Sequence, residues 1–377
     1  MKQPGESDVK WDLERTLQAY ESYLSPGKHL EGPFEGWEIQ GLLGRGGMAL
    51  VYLIEQSPGQ TRFSGNRSVL KIIPGYLVSD FLVNEYESLR RLQSPYIVRL
   101  RTGGESLLPV DGAGVCPDIG YLELEYCPGG TLEDFRLSYG GPMPAYSAAK
   151  CMYSIFQGLQ EAHRLGIGHG DICTRNILLD GGETMKISDF GLARIGENHL
   201  KGRPGRLRYF PPEAFGWRGT SFDRSWDIWA CGIIYLTLIS GKHPLESHSE
   251  AKCEKILKSF TESAQDPFIT LPPSYQIALE KQIQMESDTL EGRVAVTIVQ
   301  ALRLKNRASV EVLLRQTRKA LRQLAQDGEE TQHETHYYRY VHEQQGRTLE
   351  ATPPKIPKKK KENIAKPSED ITYLPSN

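Results

Sequence analysis

The sequence predicts an α+β fold of two lobes, a β-rich half followed by a helical half, with a cleft between them. Three observations carry this. Short β-rich runs crowd the first part of the globular region, helical periodicity takes over from Ala145, and a Pro-Gly-Gly stretch at 128–130 breaks the last strand pattern. In chain order, residues 1–36 form an extension with one amphipathic helix, predicted over Val9 to Leu24. There Leu13, Leu17, Tyr20 and Leu24 recur at helical spacing, Asp8 can cap, and Ser25-Pro26-Gly27 stops the pattern. Such a stripe needs a surface to cover it. WEIQGLL, ALVYLIE and SVLKII then read as strands separated by Gly, Ser and Asn turns. A helix follows from Ser79 to Gln93 with Leu82, Glu85, Leu89 and Leu92 along one face, and YLELEY at 121–126 reads as a further strand. Helices are expected at 145–165, 225–240, 275–285 and 309–326. The N-lobe is thus placed at 37–126 and the C-lobe at 131–317. A helical extension is expected at 318–344, and a disordered Lys/Pro-rich tail at 345–377, whose composition cannot offset its ordering entropy.

Composition narrows the function classes. Lys+Arg 45 against Asp+Glu 47 leaves a net charge of −2, so no global basic field recruits nucleic acid or an anionic membrane. The longest apolar run, Ile228 to Ile239, is too short to span a bilayer and reads as a buried helix. MKQPGESDVK has no apolar core of the kind a signal peptide carries. The six cysteines include no CxxC pair, which fits reduced thiols and a cytoplasmic setting better than a disulfide frame or a zinc site.

Three segments carry chemistry. The first is Leu43-Gly44-Arg45-Gly46-Gly47-Met48-Ala49-Leu50-Val51, where glycines between two strands let backbone N–H groups approach a polyphosphate. By itself this is also the pattern of a plain hairpin turn. The second is Lys71 in VLKII, an ammonium among apolar strand residues, which needs a partner; Glu85, on the inward face of the next helix, can supply it. The third is His169-Gly170-Asp171-Ile172-Cys173-Thr174-Arg175-Asn176, followed by Asp189-Phe190-Gly191. Phosphoryl transfer needs a carboxylate to orient and deprotonate the acceptor hydroxyl, which suits Asp171. It also needs oxygen ligands for Mg²⁺, which suits Asn176 and Asp189.

These motifs, in this order, resemble the eukaryotic-type protein kinase domain, and GRGGMALVYL is similar to the glycine loops of bacterial serine/threonine kinases. The resemblance implies a bilobal kinase fold over 37–317 and an ATP- and Mg²⁺-dependent transfer to a protein substrate. It implies that Lys71 meets the α/β-phosphates and is fixed by Glu85. It further implies a hinge at Glu125 to Cys127 behind Leu124, and a hydrophobic column of His169, Phe190 and Leu89. Pro211-Pro212-Glu213 resembles the APE element, Arg307 stands where its ion-pair partner is expected, and Asp227 matches the residue that braces the catalytic loop.

Several positions depart from the pattern. Gly170 replaces the usual Arg, residues 190–210 contain no Ser or Thr, and a kinase needing no loop Ser/Thr phosphorylation is expected. Cys173 stands in place of the serine/threonine-kinase Lys, and Arg206 in place of a Thr near the APE element. Arg175, counted with Asp171 and Lys71 in the catalytic set, resembles the tyrosine-kinase loop. HGDxxxxN also resembles aminoglycoside and choline phosphotransferases, and a pseudokinase scaffold is a third class. The APE-like element and the four intact positions Lys71, Asp171, Asn176 and Asp189 speak against these two. Five basic residues against Glu197 alone in 190–210 suggest an acidic substrate, with a solvated loop as the alternative. The N-terminal helix and the lysines at 355 and 358–361 are candidates for a regulatory or docking partner.

Overall fold

The computed structural model describes residues 6–56, 66–75, 80–108, 118–195, 205–215, 223–246, 248–262, 297–298, 301–302, 307–325 and 329–350. Five antiparallel strands make the N-lobe sheet: β1 (Trp37–Arg45), β2 (Leu50–Gln56), β3 (Arg67–Pro74), β4 (Leu100–Leu107) and β5 (Asp118–Glu125). Their spatial order is β1-β2-β3-β5-β4. Both faces of this sheet are covered, and β3 shows how. Leu70 and Ile72 sink into one apolar cluster, while Val69 and Ile73 belong to another that continues into the C-lobe. With a side-chain period of two, Lys71 is therefore delivered to the second face.

The cluster on the outer face is closed by α1 (Glu6–Tyr23). Leu17 and Leu24, together with Leu30, Phe34 and Trp37, cover Ile39, Tyr52, Ile54 and Ile119. The helical stripe expected at 9–24 has found its surface, and that surface is the N-lobe sheet. On the inner face lies α2 (Asp80–Arg91), whose Leu82, Glu85 and Leu89 are buried. Strand β4 has no counterpart in the sequence reading. Its stretch LRTGGESL has two central glycines and no β-branched residue but Thr102, so it owes its conformation to the ladder with β5 rather than to local preference.

In the C-lobe α3 (Leu132–Leu137) is capped by Thr131, whose hydroxyl accepts from the Asp134 N–H. Then come α4 (Ala145–Arg164), α5 (Ser225–Ser240), α6 (Glu250–Glu262), α7 (Val310–Ala325) and α8 (Glu329–Glu350). Two small antiparallel pairs, β6 (Ile167–Gly168) with β9 (Arg194–Ile195) and, between them in the chain, the hairpin of β7 (Ile177–Leu179) with β8 (Met185–Ile187), carry the loops at the cleft. Helix α5 is the apolar run of the sequence and is buried almost throughout, as its lack of a polar face requires. It ends at Gly241, whose φ of 74° and close approach to Gly141 and Pro142 leave no room for a side chain.

Helix α7, which spans the expected boundary at 317, packs along α4, and α8 runs through Glu350, past the expected start of the tail at 345. Glu, Gln and Arg favour continuing the helix there. Helix α8 buries His333, Tyr337, Tyr340 and Val341 against the lobe, and the Tyr337 hydroxyl donates to the Asp180 carbonyl. The helix expected at 275–285 and residues 351–377 lie outside the described residues. No helix among the described residues is long and apolar enough to cross a membrane.

Candidate active site

Side chains from five separate chain segments meet at the cleft. Lys71 pairs with Val51 on β2 and Leu122 on β5, so its strand is central and its direction is set from both sides. Its Nζ donates to Glu85 Oε2 at 2.6 Å and to Asp189 Oδ1 at 3.1 Å. Burial disfavours the ammonium, but the two carboxylates outweigh it and hold its pKa above the usual lysine range. The Lys71 charge in turn keeps the Asp189 carboxyl below its ordinary value. Asp189 itself has a left-handed backbone, φ 64° and ψ 65°, which is uncommon outside glycine and aims its half-exposed carboxylate into the cleft.

Across from this pair stands the loop carrying Asp171. Asn176 Nδ2 donates to the Asp171 backbone carbonyl and to Oδ2, each at 2.9 Å. Oδ1 of Asp171 accepts from the Arg206 backbone N–H at 3.0 Å. Burial pushes the Asp171 carboxyl up, and Arg206 and His169 pull it back. The loop is pinned from below by Asp227, 1% exposed, which accepts from the N–H groups of His169 and Gly170 at 2.9 Å each. His163 Nε2 lies 2.9 Å from the same carboxylate. Burial alone would raise the Asp227 carboxyl, but His163 and these amides hold it below the usual range. His169, Phe190 and Leu89 are buried between the lobes, with the His169 and Phe190 rings 4.6 Å apart.

The glycine segment is the turn between β1 and β2, closed by Gly46 N–H to the Ala49 carbonyl at 2.8 Å. A Cβ built on Gly44 or Gly47 meets nothing within 4 Å, and on Gly46 it meets only the Ala49 backbone, at 3.6 Å or beyond. None of the three has positive φ. The fold itself thus asks for no glycine there, whereas a ligand pressed against the backbone does. Arg45 turns the other way, to Glu14 at 2.6 Å and Glu21 at 3.1 Å on α1, so its charge holds the turn to that helix. Leu43 is exposed, Val51 half-buried, and Leu124 and Cys127 are buried. The Glu125 side chain is taken up by Lys186 at 3.0 Å and the Arg99 N–H at 3.2 Å, which leaves backbone groups for any contact at this hinge.

Arg175 lies apart from Asp171 on the surface, near Glu133. The guanidinium at Asp171 is that of Arg206, with Nη1 at 3.4 Å from Oδ2 and 3.1 Å from Asn176 Oδ1. The sequence reading had this residue only as a departure; the signal was a second departure, Cys173, which touches the same nitrogen. Also unforeseen is the chain from Glu133 through Thr174 to Tyr209, at 2.6 Å and 3.2 Å, which ties the loop to the segment before Glu213. Glu213 accepts from Arg307 at 2.8 Å, and the Arg307 guanidinium lies 5.2 Å from the Trp229 ring centre.

A family model described as the protein kinase domain matches residues 37–316. The chain belongs to the protein kinase domain family. Among its relatives, a probable serine/threonine-protein kinase PknB of Bifidobacterium longum is 28% identical over 224 residues, 56% of this chain and 31% of its own length. The serine/threonine-protein kinase PrkC of Bacillus subtilis is 29% identical over 240 residues, 57% of this chain and 37% of its own. Mitogen-activated protein kinase kinase 7 of Arabidopsis thaliana is 32% identical over 212 residues, 54% of this chain and 64% of its own. The matched part of the chain thus spans 31% to 64% of the length of these kinases.

In this kinase domain the catalytic loop rests on a buried carboxylate whose loss would leave two amide donors unpaired. Asp227→Ala is expected to lower the unfolding free energy by about 2–4 kcal/mol, read from urea denaturation against the parent chain. A loss under about 0.5 kcal/mol would contradict this account of the loop.

Proposed function

We propose that this chain transfers the γ-phosphoryl group of ATP to a protein hydroxyl, of serine or threonine before tyrosine. The observation that carries the reading is the convergence of Lys71, Asp189, Asn176 and Asp171 on one cleft beneath a glycine turn. The Glu213–Arg307 pair supports a protein rather than a small molecule as acceptor, because an anchored segment beside the loop gives a peptide something to lie on.

The residues present fit the nucleotide and its metal. The glycine turn has room for phosphates against its backbone, and an amide oxygen with a carboxylate, Asn176 and Asp189, is the hard-oxygen donor set that Mg²⁺ prefers. Gly44, Gly46 and Gly47 would cover the phosphates, Lys71 would meet them, and Val51, Leu124 and the backbone of Glu125 to Cys127 would hold the base. Bound Mg²⁺ supplies charge neutralisation for the phosphate oxygens. The protein supplies position: Asp171, fixed by Asn176 and by the Arg206 amide, orients the acceptor hydroxyl and takes its proton as the γ-phosphoryl moves in line. Asp171→Asn should reduce γ-phosphate incorporation by about a thousandfold while leaving ATP affinity within about threefold, measured by radiolabel transfer and calorimetry. Aminoglycosides and small alcohols run alongside separate the small-molecule reading, and turnover on them alone would overturn the proposal.

Activity without loop phosphorylation follows from the same geometry. Arg206 already reaches Asp171, and Gly170 offers no guanidinium to receive a phosphate. Phosphatase treatment is expected to leave the rate within about twofold; restoration of a lost rate by a loop phosphosite would show the opposite. Arg194, Arg206 and Arg208 near the cleft favour acidic acceptors, while Lys201 and Arg203 of the same segment lie outside the described residues. A peptide library should enrich Asp and Glu around the acceptor, and a flat profile refutes that preference.

A further inference from the structure

Three departures from the kinase pattern lie far apart in sequence and come together in space. Gly170 stands in the loop where Arg is usual, Cys173 where Lys is usual, and Arg206 in the activation segment where Thr is usual. In the fold, Nη1 of Arg206 contacts the Cys173 sulfur, lies 3.1 Å from Asn176 Oδ1, and lies 3.4 Å from Asp171 Oδ2. One nitrogen thus touches the base, the candidate magnesium ligand and the side chain that replaced the lysine.

The approach that makes this reach feasible runs through two glycines. Gly205, φ 116°, comes down on the loop so closely that a Cβ there would sit 3.2 Å from the Gly170 carbonyl oxygen and 3.0 Å from the Phe210 ring. Gly170 has φ 79°. Positive φ at both positions is a conformation that larger residues rarely adopt, so neither place readily accepts a side chain. Cys173 is buried, and the Arg206 guanidinium lies directly against its sulfur. The guanidinium is only partly buried, with its side chain 41% exposed on the cleft side.

We propose that Arg206 is the positioning residue of this catalytic loop, supplying from the activation segment the cation that Cys173 does not. It acts through Asp171 and Asn176, holding the carboxylate in one rotamer and placing a permanent positive charge beside the path of the phosphoryl group. A guanidinium keeps its charge at every physiological pH and bonds several acceptors at once, which suits a group that must serve both residues. Because the cation arrives on the activation segment, assembly of the site requires that segment to be seated. The Tyr209–Thr174 bond and the Arg208 bond to the His248 carbonyl at 3.0 Å hold it there.

This inference rests on the kinase reading, and its test separates the two. Radiolabel transfer from ATP to a generic acidic protein such as casein is measured for the full chain and for Arg206→Gln, Arg206→Lys, Arg206→Thr, the double variant Cys173→Lys with Arg206→Thr, and Asp171→Asn. Arg206→Gln is expected to lose about thirtyfold or more in kcat with the KM for ATP within about threefold, because the cation serves the transition state more than the nucleotide. Arg206→Lys should keep at least about tenfold over Arg206→Gln, and moving the cation back into the loop should lift Arg206→Thr by about tenfold. Either recovery supports a role for the charge, which a merely structural side chain would not give. The lysine variant decides if the buried Cys173→Lys change fails to fold. Arg206→Gln within about threefold of the parent, or neither recovery occurring, overturns the inference while leaving the kinase reading intact. Retained turnover in Asp171→Asn overturns the role of Asp171 as base, and absence of transfer by the parent chain overturns the kinase reading itself.

Discussion

The Lys71 ammonium is the point on which both lobes depend. It is drawn out of water on a central strand, and among the described residues the groups that make this tolerable come from elsewhere: Glu85 from α2 and Asp189 from the segment after β8. Strand, helix and loop must therefore arrive together. Glu85 is almost fully buried and Lys71 keeps 17% of its side chain exposed, so a shift of α2 would strand a carboxylate in the core and leave the lysine facing Asp189 alone. A further condition lies on the opposite face of the sheet. Leu70 and Ile72 are covered from the α1 side, and a one-residue slip of β3 would drive Lys71 under that cover and expose two aliphatic side chains. The N-terminal helix thus fixes the register that aims the ammonium at the cleft, and through Glu14 and Glu21 it also holds Arg45 of the glycine turn.

The second lobe solves a related problem with backbone rather than side-chain charge. Asp227 is buried and anionic, and two loop amides and His163 take up its oxygens. Two backbone N–H groups spent on one carboxylate fix the loop's path far more tightly than side-chain packing would, since each would otherwise be a buried donor without a partner. Asp171 inherits that rigidity two residues after His169. Asn176 then closes the loop on itself by bonding both the backbone and the side chain of Asp171, so that carboxylate is held from within the loop.

Much of this was legible from residue order alone, for a physical reason: the strongest constraints are local or regularly spaced. Glu85 faces inward because it shares a helical stripe with Leu82 and Leu89, and α5 announces itself as an apolar run with no polar face. What escaped was set by contacts between distant segments. Strand β4 is glycine-rich and exists through its ladder with β5. Arg45 sits in a phosphate-cradle pattern, yet its side chain serves α1 through Glu14 and Glu21, acids whose spacing on that helix carries no mark of a partner. Arg175 occupies a familiar place beside Asn176, while the guanidinium at Asp171 comes from thirty-five positions away in Arg206. Spacing within a motif predicts which backbone is nearby; it does not say which side chain turns toward the centre.

The activation segment shows why that distinction matters for a kinase with so reduced a loop. Among its described residues it is fastened before the APE-like element by Arg206 at Asp171 and within it by Glu213 at Arg307, with Tyr209 at Thr174 and Arg208 at the His248 carbonyl between them. The second fastening is sheltered: Arg307 is 5% exposed, also bonds the Ser225 carbonyl, and lies over Trp229, so it belongs to the helical core. The first is half-open to the cleft and made by a group that touches the base. A segment anchored in the core at one end and on the chemistry at the other transmits its own order directly to Asp171. At the cleft end the anchor is the Arg206 guanidinium. The glycines at 170 and 205 give up side chains to let it arrive. The cost of that arrangement is conformational freedom in the unfolded chain, and its gain is an Asp171 carboxylate whose orientation is written into the fold.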